Sequence, residues 1–203
     1  MIAVIDYEVG NLRSVEKALH FIGCEAKVSS DKEFILNADA VVLPGVGAFA
    51  DAMQSLGKYG MIEVINKVIE SKKPFLGICL GMQLLFDYSE EGGQDVQGLG
   101  ILRGAIKQLP DDMNLKVPHM GWNSLELKGE SPLFKGISKN PYVYFVHSYY
   151  LDTDDKDIVI ASTNYGINFS VAVQKGSIYA TQFHPEKSGE VGLNMLRNFV
   201  NSI

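Results

Sequence analysis

Apolar positions in the first half of the chain fall into short continuous runs separated by stretches where they return every three or four residues. Ile2-Ala3-Val4-Ile5-Asp6, Ala40-Val41-Val42-Leu43 and Phe75-Leu76-Gly77-Ile78 are runs of the kind a strand buried on both faces presents, and Ala26-Lys27-Val28 supplies a shorter one. Between them, Leu12, Val15, Leu19 and Ile22 space a helix that Gly23 ends, and further helical segments are predicted over Asp31–Leu36, Ala48–Leu56 and Met61–Glu70. Strands alternating with helices predict an α/β fold, with a mostly parallel sheet covered by helices on both faces. Ligands on such sheets gather at the C-terminal strand ends, so the Pro44-Gly45-Val46-Gly47 loop and Cys79 are expected to share one rim.

After about residue 98 the pattern changes to short strands and turns. Gly100–Arg103, Ala105–Leu109, Trp122–Leu127, Tyr142–Val146, Ile158–Ser162, Ser170–Gln174 and Ile178–Thr181 are predicted as antiparallel additions to the same sheet system. A last helix runs from about Gly189 to Val200, with Val191, Leu193, Met195, Leu196 and Phe199 on its apolar face. There is no internal repeat or low-complexity tract, and no Pro/Ser-rich linker or shift in composition marks a second domain. Residues 1–203 are therefore expected to form a single domain.

Composition narrows the function classes. The chain is 46% hydrophobic and 21% charged, as soluble globular proteins are, and its apolar runs are too short to span a bilayer. Its start lacks a basic segment before an apolar core, so it reads as a first strand rather than a signal peptide, and a cytoplasmic location is expected. Two cysteines are too few for a disulfide scaffold, and a net charge of -6 gives no overall pull towards nucleic acid. Asp152-Thr153-Asp154-Asp155-Lys156-Asp157 lacks the glycine and terminal glutamate of a calcium loop and reads as a solvated turn. No metal and no cofactor are expected.

The chemistry concentrates at Gly77-Ile78-Cys79-Leu80-Gly81, where an apolar strand ends on a cysteine between glycines and helical spacing resumes with Leu84, Leu85 and Tyr88. This is the thiol form of a nucleophile elbow, and a helix starting after Cys79 would favour the thiolate. A glycine-flanked core cysteine fits the same pattern. A catalytic thiol needs a base and a group that orients the base. Of the four histidines, His20 sits near the end of the first helix, and His119 and His147 are possible. His184 is the best candidate, because it follows a strand and Glu186 stands two residues on, where extended backbone would point both side chains the same way. Cys24 follows the glycine stop of the first helix with no base near it, and reads as structural.

An elbow Gly77-Ile78-Cys79-Leu80-Gly81-Met82-Gln83 followed much later by Phe183-His184-Pro185-Glu186 resembles the class I glutamine amidotransferase family. A finer match runs through Ile5-Asp6-Tyr7, Gly10-Asn11-Leu12, Leu43–Phe49, Pro118–Asn123 and Tyr144–Tyr149. It is similar to the branch formed by glutaminase subunits of imidazole glycerol phosphate synthases. The resemblance implies a three-layer class I glutamine amidotransferase fold. It also implies that Cys79 attacks the side-chain amide of L-glutamine, that His184 shuttles protons and that Glu186 orients His184. Ammonia then passes to a partner cyclase subunit, a (β/α)8 barrel, which turns PRFAR into imidazole glycerol phosphate and AICAR in histidine biosynthesis.

By motif position, the oxyanion donors are the backbone of Leu80 and of the Gly45-Val46 region. Gly47, Gln83, Ser148 and Tyr149 frame the glutamine, and Asn11, Met120, Trp122 and Lys187 meet the cyclase. Pro44-Gly45-Val46-Gly47 departs from the shorter Pro-Gly-Gly of sibling families, so the Gly45-Val46 peptide is expected to turn towards the substrate only when the cyclase docks with its ligand. The alternatives are the glutaminase of another class I complex, a cysteine peptidase or DJ-1-like hydrolase, and a non-catalytic scaffold.

Overall fold

In the computed structural model, which describes residues 1–93, 95–110 and 115–203, strand β1 (Ile2–Ile5) is buried on both faces. Helix α1 (Leu12–Phe21) returns the chain, and Gly23, at φ 83°, supplies the left-handed turn that ends it. Then come β2 (Ala26–Ser29), α2 (Lys32–Asn37), β3 (Ala40–Gly45), α3 (Phe49–Lys58), α4 (Met61–Glu70) and β4 (Phe75–Cys79). The Asp31 side chain caps α2 by accepting the N–H groups of Glu33 and Phe34. β1 lies parallel between β2 and β3, and β4 extends the sheet parallel to β3. Because successive side chains alternate, Ala3, Ile5, Val41 and Leu43 pack with Leu56, Val64 and Ile65 of α3 and α4. Ile2, Val4 and Val42 turn the other way, onto Val15 and Leu19 of α1.

The second half contributes a short helix α5 (Leu80–Gln83), β5 (Tyr88–Ser89), β6 (Val96–Gln97), β7 (Ala105–Gln108), β8 (His119–Ser124) and β9 (Glu126–Leu127). It continues with β10 (Tyr142–His147), β11 (Tyr149–Asp152), β12 (Val159–Tyr165), β13 (Ile167–Lys175), β14 (Ile178–Thr181) and α6 (Gly189–Val200). β14 comes back parallel beside β4, and β13 continues antiparallel, so the sheet runs β2-β1-β3-β4-β14-β13-β11-β7-β5-β6, with β12 and β9 branching from β13. α6 lies on the α1 side, with Met195, Leu196 and Phe199 in that core. Among the described residues no helix is long and apolar enough to cross a membrane.

The structure departs from the sequence expectations at several points. Gly100–Arg103 is not a strand: the N–H groups of Leu99, Gly100, Ile101 and Leu102 bond instead to the carbonyls of Leu84, Phe86 and Leu85, which buries Leu102 without a strand partner. The same bonds explain why α5 stops at Gln83, since they take carbonyls that a longer helix would need. Trp122–Leu127 is divided, because β8 pairs with β10 in a separate two-stranded ribbon while β9 joins β12. Tyr149–Asp152 forms a strand that the apolar pattern does not announce.

Candidate active site

Cys79 ends β4 at φ 55° and ψ -110°, a combination that L-residues adopt only under strain. The flanking glycines are needed for space. A Cβ on Gly81 would stand 1.8 Å from the Leu43 carbonyl oxygen, and one on Gly77 2.8 Å from that of Gly81. The tight turn brings α5 against β3 and leaves Cys79 in register with Gly45 on the neighbouring strand. A Cβ on Gly45 would in turn meet the Tyr7 hydroxyl at 2.7 Å. That hydroxyl donates to the Pro44 carbonyl at 2.9 Å, and burial, followed by the nearby Cys79, raises its pKa so that it stays a donor. Since α5 has four residues, its dipole is short, and the thiolate-favouring helix expected from the sequence reduces to the N–H groups of its first turn.

His184 lies just past β14, which neighbours β4, so imidazole and thiol emerge from adjacent parallel strands. His184 Nδ1 meets Glu186 Oε1 at 2.8 Å, with both side chains almost fully buried. The sequence suggested that extended backbone would align the pair; the contact is made instead by a 3-10 turn over Pro185–Lys187. Ser188 ties this turn down, its hydroxyl donating to the His184 carbonyl and accepting the Tyr144 N–H at 3.0 Å. Burial opposes a charge on His184, but the Cys79 sulfur and the Glu186 carboxylate outweigh it and raise the pKa to about 9. Among the described residues, His184 Nε2 and Glu186 Oε2 are buried without hydrogen-bond partners.

A cavity of about 300 Å³ opens over the cysteine, lined by Val46, Gly47, Cys79, Leu80, Gln83, Glu91, Pro118, Val146, His147, Ser148 and Tyr149. The residues expected to frame a glutamine, Gly47, Gln83, Ser148 and Tyr149, are thus brought together with Cys79, Leu80 and Val46; Gly45 stands beside them on β3. Glu91 was missed by sequence reasoning. Among the described residues it is the only acidic group lining this cavity, and its Oε2 accepts the Phe49 N–H at 2.7 Å, a contact across 42 residues that no local pattern reveals. A larger cavity of about 610 Å³, lined by Asp87, Arg103, Lys107 and Asp152 among others, includes neither the thiol nor any histidine.

Of the four residues expected at a partner surface, Met120 and Trp122 are 65% and 56% exposed on one face of β8. Lys187 belongs to the Pro185–Lys187 turn, which packs against both α1 and β10, and Asn11 sits at the head of α1. His20 Nε2 is within 2.7 Å of the Ala26 carbonyl and lies away from the cysteine's cavity. Cys24 is half-buried, and burial pushes its thiol pKa up.

Comparison with known proteins agrees with this geometry. Residues 3–203 match the family described as glutamine amidotransferase class-I. The imidazole glycerol phosphate synthase subunit HisH of Caldanaerobacter subterraneus subsp. tengcongensis is 54% identical over 199 residues, covering 98% of this chain and 97% of that one. The corresponding subunit of Syntrophotalea carbinolica is 50% identical over 204 residues, covering 98% of each. Among solved structures, a glutamine amidotransferase superposes with a TM-score of 0.77 at 21% identity over 99% of this chain and 98% of that one, which shows a shared fold. With a strained cysteine elbow beside a buried His–Glu pair, and half of its residues shared with these subunits over nearly the full length, the chain belongs to the class I glutamine amidotransferase family, in the branch of the imidazole glycerol phosphate synthase HisH subunits.

Proposed function

We propose that the chain is a single-domain cytoplasmic glutaminase in which Cys79, His184 and Glu186 act as a triad. The observation that carries this reading is the 2.8 Å His184–Glu186 contact beside a cysteine held at positive φ on the floor of a cavity of about 300 Å³. Cys79 gives its thiol proton to His184 Nε2 as Sγ attacks the side-chain amide carbon of glutamine, and the C=O electrons move onto oxygen. The N–H of Leu80, which opens α5 and has no acceptor within the helix, is directed at that charge, with a second donor from the Gly45-Val46 region. His184, which holds that proton at neutral pH because its pKa is raised to about 9, gives it to the departing nitrogen as the C–N bond breaks. Ammonia and a glutamyl thioester result. Water then attacks the thioester, His184 takes its proton and passes it to the leaving sulfur, and glutamate leaves with the thiol restored. Glu186 holds the ring by Nδ1 so that Nε2 faces the reacting atoms.

Gly47, Gln83, Ser148 and Tyr149 frame the substrate, and Glu91 supplies the negative charge for its α-ammonium group. Both amide protons of Gln83 are engaged, on the Tyr149 carbonyl and Gln182 Oε1, so Gln83 offers its Oε1. The ammonia goes to a cyclase subunit, a (β/α)8 barrel docked on Asn11, Met120, Trp122 and Lys187, which produces imidazole glycerol phosphate. The relatives' names support a synthase complex, and the exposed Trp122 and Met120 support this docking face. Docking of the cyclase with its ligand turns the Gly45-Val46 peptide to complete the oxyanion site; Gly47, at φ 101°, gives the loop the freedom to do so.

The test is glutamate release by the purified chain, with and without a matching cyclase, as the cyclase ligand is added. Strong stimulation is expected. Absent or unchanged hydrolysis would overturn the reading.

A further inference from the structure

Two buried histidines have no part in the chemistry above. His119 on β8 and His147 at the end of β10 are register partners, and His119 Nδ1 lies 3.0 Å from His147 Nε2. The direction of this bond follows from its surroundings. His147 Nδ1 is 2.9 Å from the Tyr149 carbonyl, which can only accept, so Nδ1 carries the proton. In a neutral ring Nε2 is then an acceptor, and His119 must donate to it from Nδ1. His119 Nε2, left as an acceptor, receives Asn123 Nδ2 at 3.3 Å, and the same amide donates to the Asn164 carbonyl at 2.9 Å. Burial depresses the pKa of both rings, to about 4 for His119 and about 3 for His147, which keeps the pair neutral. His119 is also clamped between the rings of Tyr165, at 4.0 Å, and Phe145, at 4.7 Å, both stacked.

The chain of donors continues beyond the Tyr149 carbonyl, which also accepts Gln83 Nε2 at 3.2 Å. The other proton of that amide goes to Gln182 Oε1 at 2.9 Å, so Gln182 must turn its NH2 towards Cys79 Sγ, 3.7 Å away. None of these four polar side chains, His119, His147, Gln83 and Gln182, is more than 6% exposed. His119 lines a cavity with Met120, Trp122 and Asn123, whereas His147 lines the cavity of the cysteine, so the pair bridges the two.

We infer that His119, His147 and Gln182 are positioning residues of the glutaminase centre, linked through the Tyr149 carbonyl, where two runs of hydrogen bonds meet: Asn123, beside the Met120–Trp122 face, donates to His119, His119 to His147 and His147 to the carbonyl, while Gln83 donates both to that carbonyl and to Gln182, which donates to the sulfur of Cys79. This rests on the glutaminase reading. The Tyr149 carbonyl can only accept, so it fixes the Nδ1–H of His147 and the NH2 of Gln83 alike, and Gln83 in turn requires that an N–H rather than a carbonyl oxygen of Gln182 meet the sulfur. The same constraint turns Gln83 Oε1, rather than its NH2, to the substrate. Reversing either ring would set lone pair against lone pair at the Tyr149 carbonyl.

Two-bond 1H–15N spectra of the labelled full-length chain test the inference without any need for activity. Both rings should be neutral Nδ1–H tautomers at about pH 7 and remain so to about pH 5. An Nε2–H tautomer at either ring, or a midpoint near 6.5, the ordinary value, would overturn the chain. Kinetics with the cyclase partner then test positioning. His119→Phe keeps the stacking but loses the donor, and should raise the glutamine KM about fivefold, the effect of one ordinary hydrogen bond, with kcat within about twofold. His119→Asn keeps a donor where Nδ1–H stood, and should restore KM to within about twofold. Equal KM values for the two variants would overturn the positioning role. If the parent chain released no glutamate, the glutaminase reading would fail, and the spectra would still decide whether the chain of bonds exists.

Discussion

The α-carbon of Gly81 lies so near the end of β3 that a Cβ there would stand 1.8 Å from the Leu43 carbonyl oxygen, and no rotamer can relieve a contact with backbone. Gly81→Ala must therefore push α5 off the sheet. We expect a loss of about 3 kcal/mol or more in urea unfolding, at the upper end of overpacking effects. Gly47→Ala should cost no more than about 2 kcal/mol, because only its φ of 101° is against it and, among the described residues, nothing lies within 4 Å of an added Cβ. Similar losses for the two variants would contradict this packing.

Replacing the sulfur separates the two halves of the proposed reaction. Cys79→Ser should abolish glutamine-dependent synthesis by the complex, while synthesis from added ammonium salts survives. Loss of both activities would mean that Cys79 supports the fold or the docking rather than the chemistry.

The pH dependence follows from His184, whose pKa of about 9 in the fold exceeds the ordinary 6.5. A raised pKa means that the folded state holds the proton more tightly. Its stabilisation is full below pH 6.5 and is lost as the pH rises through about 9. Melting temperature should fall across that window, and glutaminase activity should fall on its alkaline side as the proton donor is lost. Glu186→Gln removes one of the partners that raise the pKa, so both changes should move to lower pH. An unmoved alkaline limb would exclude His184 as the titrating donor.

Tyr7 holds the Pro44 carbonyl next to the loop proposed to turn. Tyr7→Phe leaves that carbonyl without its buried donor and should cost about 1–3 kcal/mol. It should also raise glutamate release without the partner, so that stimulation by the cyclase and its ligand becomes smaller. Unchanged stimulation would show that this hydroxyl does not restrain the loop.

Trp122 and Met120 stand out at 56% and 65% exposure. Trp122→Ala should weaken binding to the cyclase about tenfold or more, as loss of an aromatic anchor does, with little change in melting temperature. Titration of the partner, followed by calorimetry, would check this. Wild-type affinity would move the interface elsewhere.

The parallel half was legible because its strands are buried on both sides, so Ile2–Ile5 and Ala40–Leu43 read as continuous apolar runs. Ile101 and Leu102 misled for a related reason. They are apolar because they cover the turn after α5, and their backbone bonds go to the Leu85 carbonyl rather than to a strand. The thiol, the imidazole and the carboxylate could be picked out because each sits in a local signature, Gly-x-Cys-x-Gly or His-Pro-Glu. Glu91 and Gln182 could not, since one is defined by the N–H of Phe49 and the other by the amide of Gln83, 99 residues away.

β14 pairs directly with β4, although the chain leaves β4 at Cys79 and re-enters the sheet beside it only at Ile178. In topological terms the intervening segment is a long insertion between neighbouring strands. That insertion carries Trp122, Met120, His119, His147 and Tyr149, whereas Cys79 ends one flanking strand and His184 lies just past the other. The spacing of Cys79 and His184 and the exposed Met120–Trp122 face are thus encoded in separate stretches. The inserted segment can be redrawn to suit a different synthase partner while the distance between thiol and imidazole stays set by the spacing of two adjacent strands.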